Sequence, residues 1–160
     1  LLALERVRTY HSPLNEAAEA DLSAAFSSLT DEAGGNGASL EIEGRRIEAK
    51  HAASGVVWFD FQTLCGGPRG QADYIEIARR YHTVLISGIP RMGPEQAAEA
   101  RRFTWLVDEF YDRRVKLIVS AAVPPADLYN GGQNSGDFIR AASRLSEMQS
   151  KQYLAQPHLP

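Results

Sequence analysis

The chain has 160 residues, 44% of them hydrophobic, with a formal charge of -3 and a pI near 5.8. That length supports a single core, and the charge balance gives no basic surplus to hold a nucleic-acid backbone. A lone cysteine, Cys65, rules out an internal disulfide and argues against a cysteine-based zinc site, and apolar runs such as LIVSAAV at 117–123 fall far short of the ~20 residues a membrane span needs.

In chain order, residues 1–10 alternate weakly and predict a short strand, punctuated by Ser12-Pro13. Residues 14–32 place Leu14, Ala18, Leu22, Ala25, Phe26 and Leu29 at helical spacing, stopped by Gly34, Gly35 and Gly37. Residues 38–53 alternate around Glu43-Gly44 and predict a β-hairpin. VVWFDF at 56–61 is a buried strand, followed by the glycine-rich loop 66–70 and a helix over 72–81. HTVLISGIP (82–90) and VKLIVSAAV (115–123) are strands rich in branched residues. Between them, residues 94–113 form a helix with Phe103, Leu106, Val107, Phe110 and Tyr111 as its apolar stripe. A loop at 129–137 leads to a final helix over 138–154.

Strands alternating with helices from residue 56 onward define an α/β class with a mainly parallel sheet and flanking helices. Near-continuous apolar strands at 83–87 and 116–121 fit burial on both faces. The whole of 1–160 reads as a single α/β region. Its start at Leu1, inside an already patterned stretch, reads as a piece that begins within a larger protein.

Four separated motifs then occur in order: RVRTYHSPL (6–14), VVWFDFQTLCGGPRGQADYIEIARRYHTVLISGIP (56–90), EARRFTWLVDEFYDRRVKLIVSAAVP (99–124) and SRLSEMQSKQYL (143–154). In these the chain resembles the C-terminal portion of the ZapE/AFG-like P-loop ATPases, a group related to AAA+ proteins. The resemblance implies that the full-length protein binds and hydrolyses ATP with Mg, in bacterial cell division or, in mitochondrial relatives, in protein quality control. It also implies that the phosphate-binding loop and the Mg-binding acidic strand lie upstream. The expected partners are therefore the protein's own N-terminal ATPase half, a further copy in a homo-oligomer, and division-ring or membrane-associated proteins. The expected setting is the cytoplasm, with no nucleic acid, and with no cofactor bound by this region alone.

The residues agree with that division of labour. A phosphate loop needs glycines that bare backbone N–H groups, followed by Lys and Ser/Thr, and no G-x-x-x-x-G-K-[ST] is present. The nearest stretch is CGGPRGQADY (65–74), where Arg69 precedes a helix start that could attract an anion; the competing reading is an ordinary strand-to-helix turn shaped by Pro68. WLVDEF (105–110) imitates a Mg-binding strand, but Asp108 and Glu109 sit inside a helical pattern. The stretch 82–124 copies the strand–helix–strand layout of a P-loop core without its acids. Arg101, Arg102 and Arg144 are candidates to act on nucleotide or across a subunit interface, because Arg stabilises phosphoryl charge well. The structural alternative pairs Arg101 with Asp108 and Arg144 with Glu147.

No catalytic or metal-binding set emerges. His11, His51, His82 and His158 are scattered, and Ser87, Ser120 and Cys65 lack a nucleophile frame. Two other classes of function stay open at this point: a stand-alone protein-interaction module without nucleotide chemistry, and a small-molecule enzyme built near 66–70, 87–88 and 120–125.

Overall fold

The computed structural model describes residues 8–30, 37–131 and 135–160. Its main sheet has five strands in the order β1-β7-β6-β5-β4. Here β1 is Tyr10–His11, β4 His51–Ala53, β5 Val56–Asp60, β6 Thr83–Ile89 and β7 Lys116–Ala121. The strands β5, β6, β7 and β1 pair in parallel, and β4 is an antiparallel edge. Strands β2 (Ala38–Ile42) and β3 (Arg45–Ala49) form a separate antiparallel hairpin. The expected hairpin at 38–53 thus ends at Ala49, and 51–53 joins the main sheet instead. The hairpin turn is made by Glu43 and Gly44, both at positive φ (51° and 73°), as a tight two-residue turn between twisted strands requires.

Six α-helices accompany the strands among the described residues: α1 (Glu16–Leu29), α2 (Phe61–Cys65), α3 (Gln71–Arg80), α4 (Ala97–Asp112), α5 (Ser135–Glu147) and α6 (Lys151–Leu154). Asn15 caps α1 by accepting from the Ala18 N–H at 2.8 Å, and Glu16 and Glu19 complement the helix dipole in its first turn. The sequence reading has no counterpart to α2, which starts directly at the end of β5. The long helix expected over 138–154 is two helices, because Ser150 accepts from Tyr153 N and opens α6 as a new N-cap. Of the strand expected over 1–10, residues 1–7 lie outside the described residues, Arg8 and Thr9 are not in a strand, and only Tyr10 is; the stop-signal glycines Gly34 and Gly35 also lie outside the described residues.

The unit over 82–124 is present as β6–α4–β7, with β6 and β7 parallel. Register places Trp58, Leu85 and Ile118 side by side on one face of the sheet. Helix α1 covers that face, with Phe26 and Trp58 ring centroids 6.1 Å apart. The alternate residues Val57, Val84 and Leu117 look the other way. On that second face α3, α4 and α5 lie in a row, and a ring series runs from Phe61 of α2 through Phe103 of α4 to Phe138 of α5 at 5.8 and 6.3 Å. All these groups belong to one buried apolar cluster. No described helix is long and apolar enough to cross a membrane.

Candidate functional site

In an open parallel sheet, ligands bind beyond the carboxyl ends of the strands, at the point where successive crossovers leave on opposite faces. Here that point lies between β1, followed by α1 on one face, and β7, followed by α5 on the other. Tyr10 closes it by donating from its hydroxyl to Val123 O at 2.6 Å. Alongside, Gly88 N donates to Ser120 Oγ at 2.9 Å and Trp58 Nε1 to Ser87 Oγ at 2.6 Å. Glu19 of α1 accepts from Ser87 Oγ at 3.5 Å and lies 3.7 Å from Lys50 Nζ. His11 is buried, with Nε2 donating to Arg8 O at 2.6 Å and Nδ1 3.2 Å from Asp21. Ser87, Ser120 and His11 therefore serve the fold's own bonding.

The same place tests whether a magnesium triphosphate fits. The loop from β1 to α1 is Ser12-Pro13-Leu14-Asn15, with no glycine to bare the backbone and no lysine. The helix that follows opens with Glu16 and Glu19, which repel phosphate. Among the described residues no group of three or more His, Cys, Asp or Glu could hold a metal ion. The group does not fit these residues. Asp108 and Glu109 lie on α4, away from any strand tip, as their helical setting in the sequence implies.

The four arginines singled out by sequence have different fates. Arg69 lies 3.8 Å from Asp73 and donates to Arg46 O at 3.3 Å. It thereby ties the 66–70 turn to the β2–β3 hairpin. Asp73 is buried, takes two bonds from Arg45 at 3.0 and 2.9 Å, and accepts from Gly70 N at 2.8 Å. Arg102 donates to Cys65 O at 2.9 Å and so caps the carboxyl end of α2. Arg144 donates to Asp108 and lies over the Tyr111 ring, 4.9 Å from its centroid. Its expected i,i+3 partner, Glu147, instead accepts from the Tyr111 hydroxyl at 2.6 Å. The Arg101–Asp108 pairing is likewise absent, because Asp108 is held across the helix interface by Arg144 and, more loosely, by Arg140 at 3.9 Å. Arg101 is exposed and has no hydrogen-bond or ion-pair partner among the described residues.

Arg101 opens onto a groove of about 430 Å³. Its wall is formed by the starts of α3, α4 and α5, which follow β5, β6 and β7, so it sits at the carboxyl end of the sheet on the second face. Gln71, Arg101, Trp105, Tyr129, Asp137 and Arg140 supply its functional groups. Of the four arginines, only Arg101 reaches this space. Trp105 and Tyr129 are partly exposed aromatics on its wall, and the carboxylates of Asp108 and Asp137 balance the two cations. The groove suits a polar, hydrogen-bonding contact.

Sequence reasoning missed the buried Asp73 and the buried Lys116. Asp73 sits three residues after Gly70 at a helix start, a capping spacing that could have flagged it. Lys116 begins an apolar strand and looks like an ordinary strand-end charge. Its Nζ donates to the carbonyls of Arg114, Tyr153 and Gln156, the last two from the chain's end, which no local pattern announces.

The fold and its carboxyl edge define a class: a mainly parallel α/β unit built on a P-loop-style strand–helix–strand, with no phosphate-handling loop among the described residues. The chain belongs to the AFG1-like ATPase family, which it matches over residues 1–157. It is 39% identical to the cell division protein ZapE of Escherichia coli strain K12 over 159 residues, 99% of this chain and 42% of that relative. It is 36% identical to the lactation elevated protein 1 homolog B of Danio rerio over 109 residues, 68% of this chain and 22% of that relative. The chain thus spans less than half the length of these relatives. No solved structure matches it.

Proposed function

We propose that this chain is the C-terminal region of an ATPase whose nucleotide chemistry, ATP and Mg included, resides in an upstream half. The observation that supports this reading most is the switch point between β1 and β7. A member of an ATPase family has there a glycine-free, lysine-free loop followed by Glu16 and Glu19. Such a unit packs on a catalytic half and shapes its interfaces; it does not hold phosphate. The division function named for the E. coli relative is the role proposed for the full-length protein, in the cytoplasm and next to division-ring partners. Arg101 is the residue proposed to act across the interface, since its guanidinium is exposed and unpaired beside the groove. Arg69, Arg102 and Arg144 hold the unit's own elements together and support that surface from behind.

The test compares ATP binding and turnover by this chain with those by the polypeptide that includes the upstream motifs. The longer chain should hydrolyse ATP and this chain should neither bind nor turn it over; turnover by this chain alone would overturn the reading. A second reading, a stand-alone interaction module, draws on the engagement of Arg102 and Arg144 in the fold. It gains if Arg101→Glu leaves the ATPase rate and oligomer size of the longer chain unchanged.

A further inference from the structure

The amino end of the sheet lies opposite the surfaces discussed so far, and it has a cleft of its own. This cleft, about 360 Å³, is lined by Leu29 of α1, His82 and Thr83 at the start of β6, Lys116 at the start of β7, and Pro157 and His158 from the chain's end. Its volume falls in the range of small-ligand sites, roughly 300–1,000 Å³. Leu29, Pro157 and the aliphatic stem of Lys116 give it apolar walls.

The charge around it is one-sided. Among the described residues three basic side chains line the cleft and no carboxylate does. Lys116 forms the floor, its Nζ fixed by the carbonyls of Arg114, Tyr153 and Gln156. Arg114 stands behind it and adds positive charge. His158 donates from Nε2 to Ala78 O at 2.6 Å, so a further proton would enter at Nδ1. His82 is exposed, with Nδ1 2.8 Å from the Thr83 hydroxyl. Burial and then the neighbouring His158 hold the basicity of His82 below its ordinary value, with Lys116 adding to this. These basic groups disfavour a proton on His82 across an apolar space, which is the arrangement an anion relieves.

We propose that this cleft binds a small aliphatic carboxylic acid, with its carboxylate between His82 and His158 above Lys116 and its alkyl stem against Leu29 and Pro157. The inference is independent of the ATPase reading, because it uses the opposite end of the sheet and none of the four arginines. Binding favours the protonated imidazole of His82, so it strengthens as pH falls.

The test is histidine-ring NMR on the intact chain, titrated with hexanoate and, separately, with hexanol as the neutral counterpart. Hexanoate should shift the ring signals of His82 and His158 saturably, leave those of His11 and His51 in place, and raise the titration midpoint of His82. Its affinity should be about tenfold higher at pH 6 than at pH 8, the span over which an imidazole changes charge. His82→Gln at an exposed position and His158→Gln at a half-buried one should each weaken binding about fivefold or more without unfolding the chain. Three results would overturn the proposal: no saturable shift, equal shifts with hexanol, or shifts spread evenly over all four histidines.

Discussion

Arg144 on α5 reaches across to Asp108 on α4, and the same guanidinium lies over the ring of Tyr111 one turn further along α4. Two parallel helices that follow neighbouring strands are thus clasped at the point where their apolar stripes give way to solvent. Both charged side chains are about three-quarters covered, at 28% and 25% exposure, so the pair is screened less than a surface ion pair. Arg144→Met should destabilise the chain by about 1 kcal/mol, and Asp108→Asn by a similar amount. Urea unfolding of both single variants and the double variant should give a coupling energy of ~0.5–1 kcal/mol; additive effects would mean that the pair is idle.

Asp73 should matter more. Its carboxylate is buried and serves Arg45, Arg69 and the Gly70 N–H at once, joining the β2–β3 hairpin to the start of α3. Asp73→Asn keeps the size but leaves two guanidiniums facing a neutral amide. A loss of ~2–3 kcal/mol follows, below the full cost of breaking a buried pair because Arg45 is half exposed. Hydrogen exchange should show the hairpin loosening first, while the β6–β7 ladder stays protected.

Lys116 gives a pH signature with a defined sign. Burial first, and then Arg114, lower its amine from the ordinary 10.5 to about 8. Between these values the unfolded chain binds the proton and the folded chain does not, so this group makes stability rise with pH from about 8 to 10.5. Burial also raises Tyr10, Tyr74 and Tyr153, whose contribution fades once pH passes their ordinary value of 10.0. Subtracting the unfolding free energies of Lys116→Met from those of the parent at each pH removes the tyrosine part. The difference should climb across pH 8–10 and stay level below 7.

Cys65 should report global opening. It is fully buried beside the Tyr74 hydroxyl, and burial pushes its thiol up to about 12. The thiolate is the reactive form, so alkylation at pH 8 should be slow in the native chain and fast in urea. Rapid native labelling would mean that α2 opens on its own.

The sequence made the parallel core legible because strands 83–87 and 116–121 are nearly continuous apolar runs and the helix between them has a clean stripe. Hairpin turn chemistry at Glu43-Gly44 was equally plain. What stayed hidden depends on distance along the chain. His51–Ala53 alternates like the hairpin before it, yet pairs with β5, since a tight turn at Gly55, φ +76°, folds it back. Helix α2 is a single short turn whose Phe61 and Leu64 look like a strand continuing. The candidate arginines were recognisable as a set, but which of them is free depends on Asp108, Cys65 and Arg46, residues 23 to 37 positions away. Local i,i+3 and i,i+7 spacing favours partners that tertiary contacts replace.

The two-residue strand Tyr10–His11 is the seam through which the preceding chain joins the sheet. It runs parallel to β7, so a pull on Arg8 from the amino side loads the Thr9 O–Val119 N bond and the Tyr10–Val123 bond in shear rather than one after another. Force arriving from the amino side would be felt in β7 before any helix moves. The molecule is wired to transmit tension into its middle, and to yield first at that short seam.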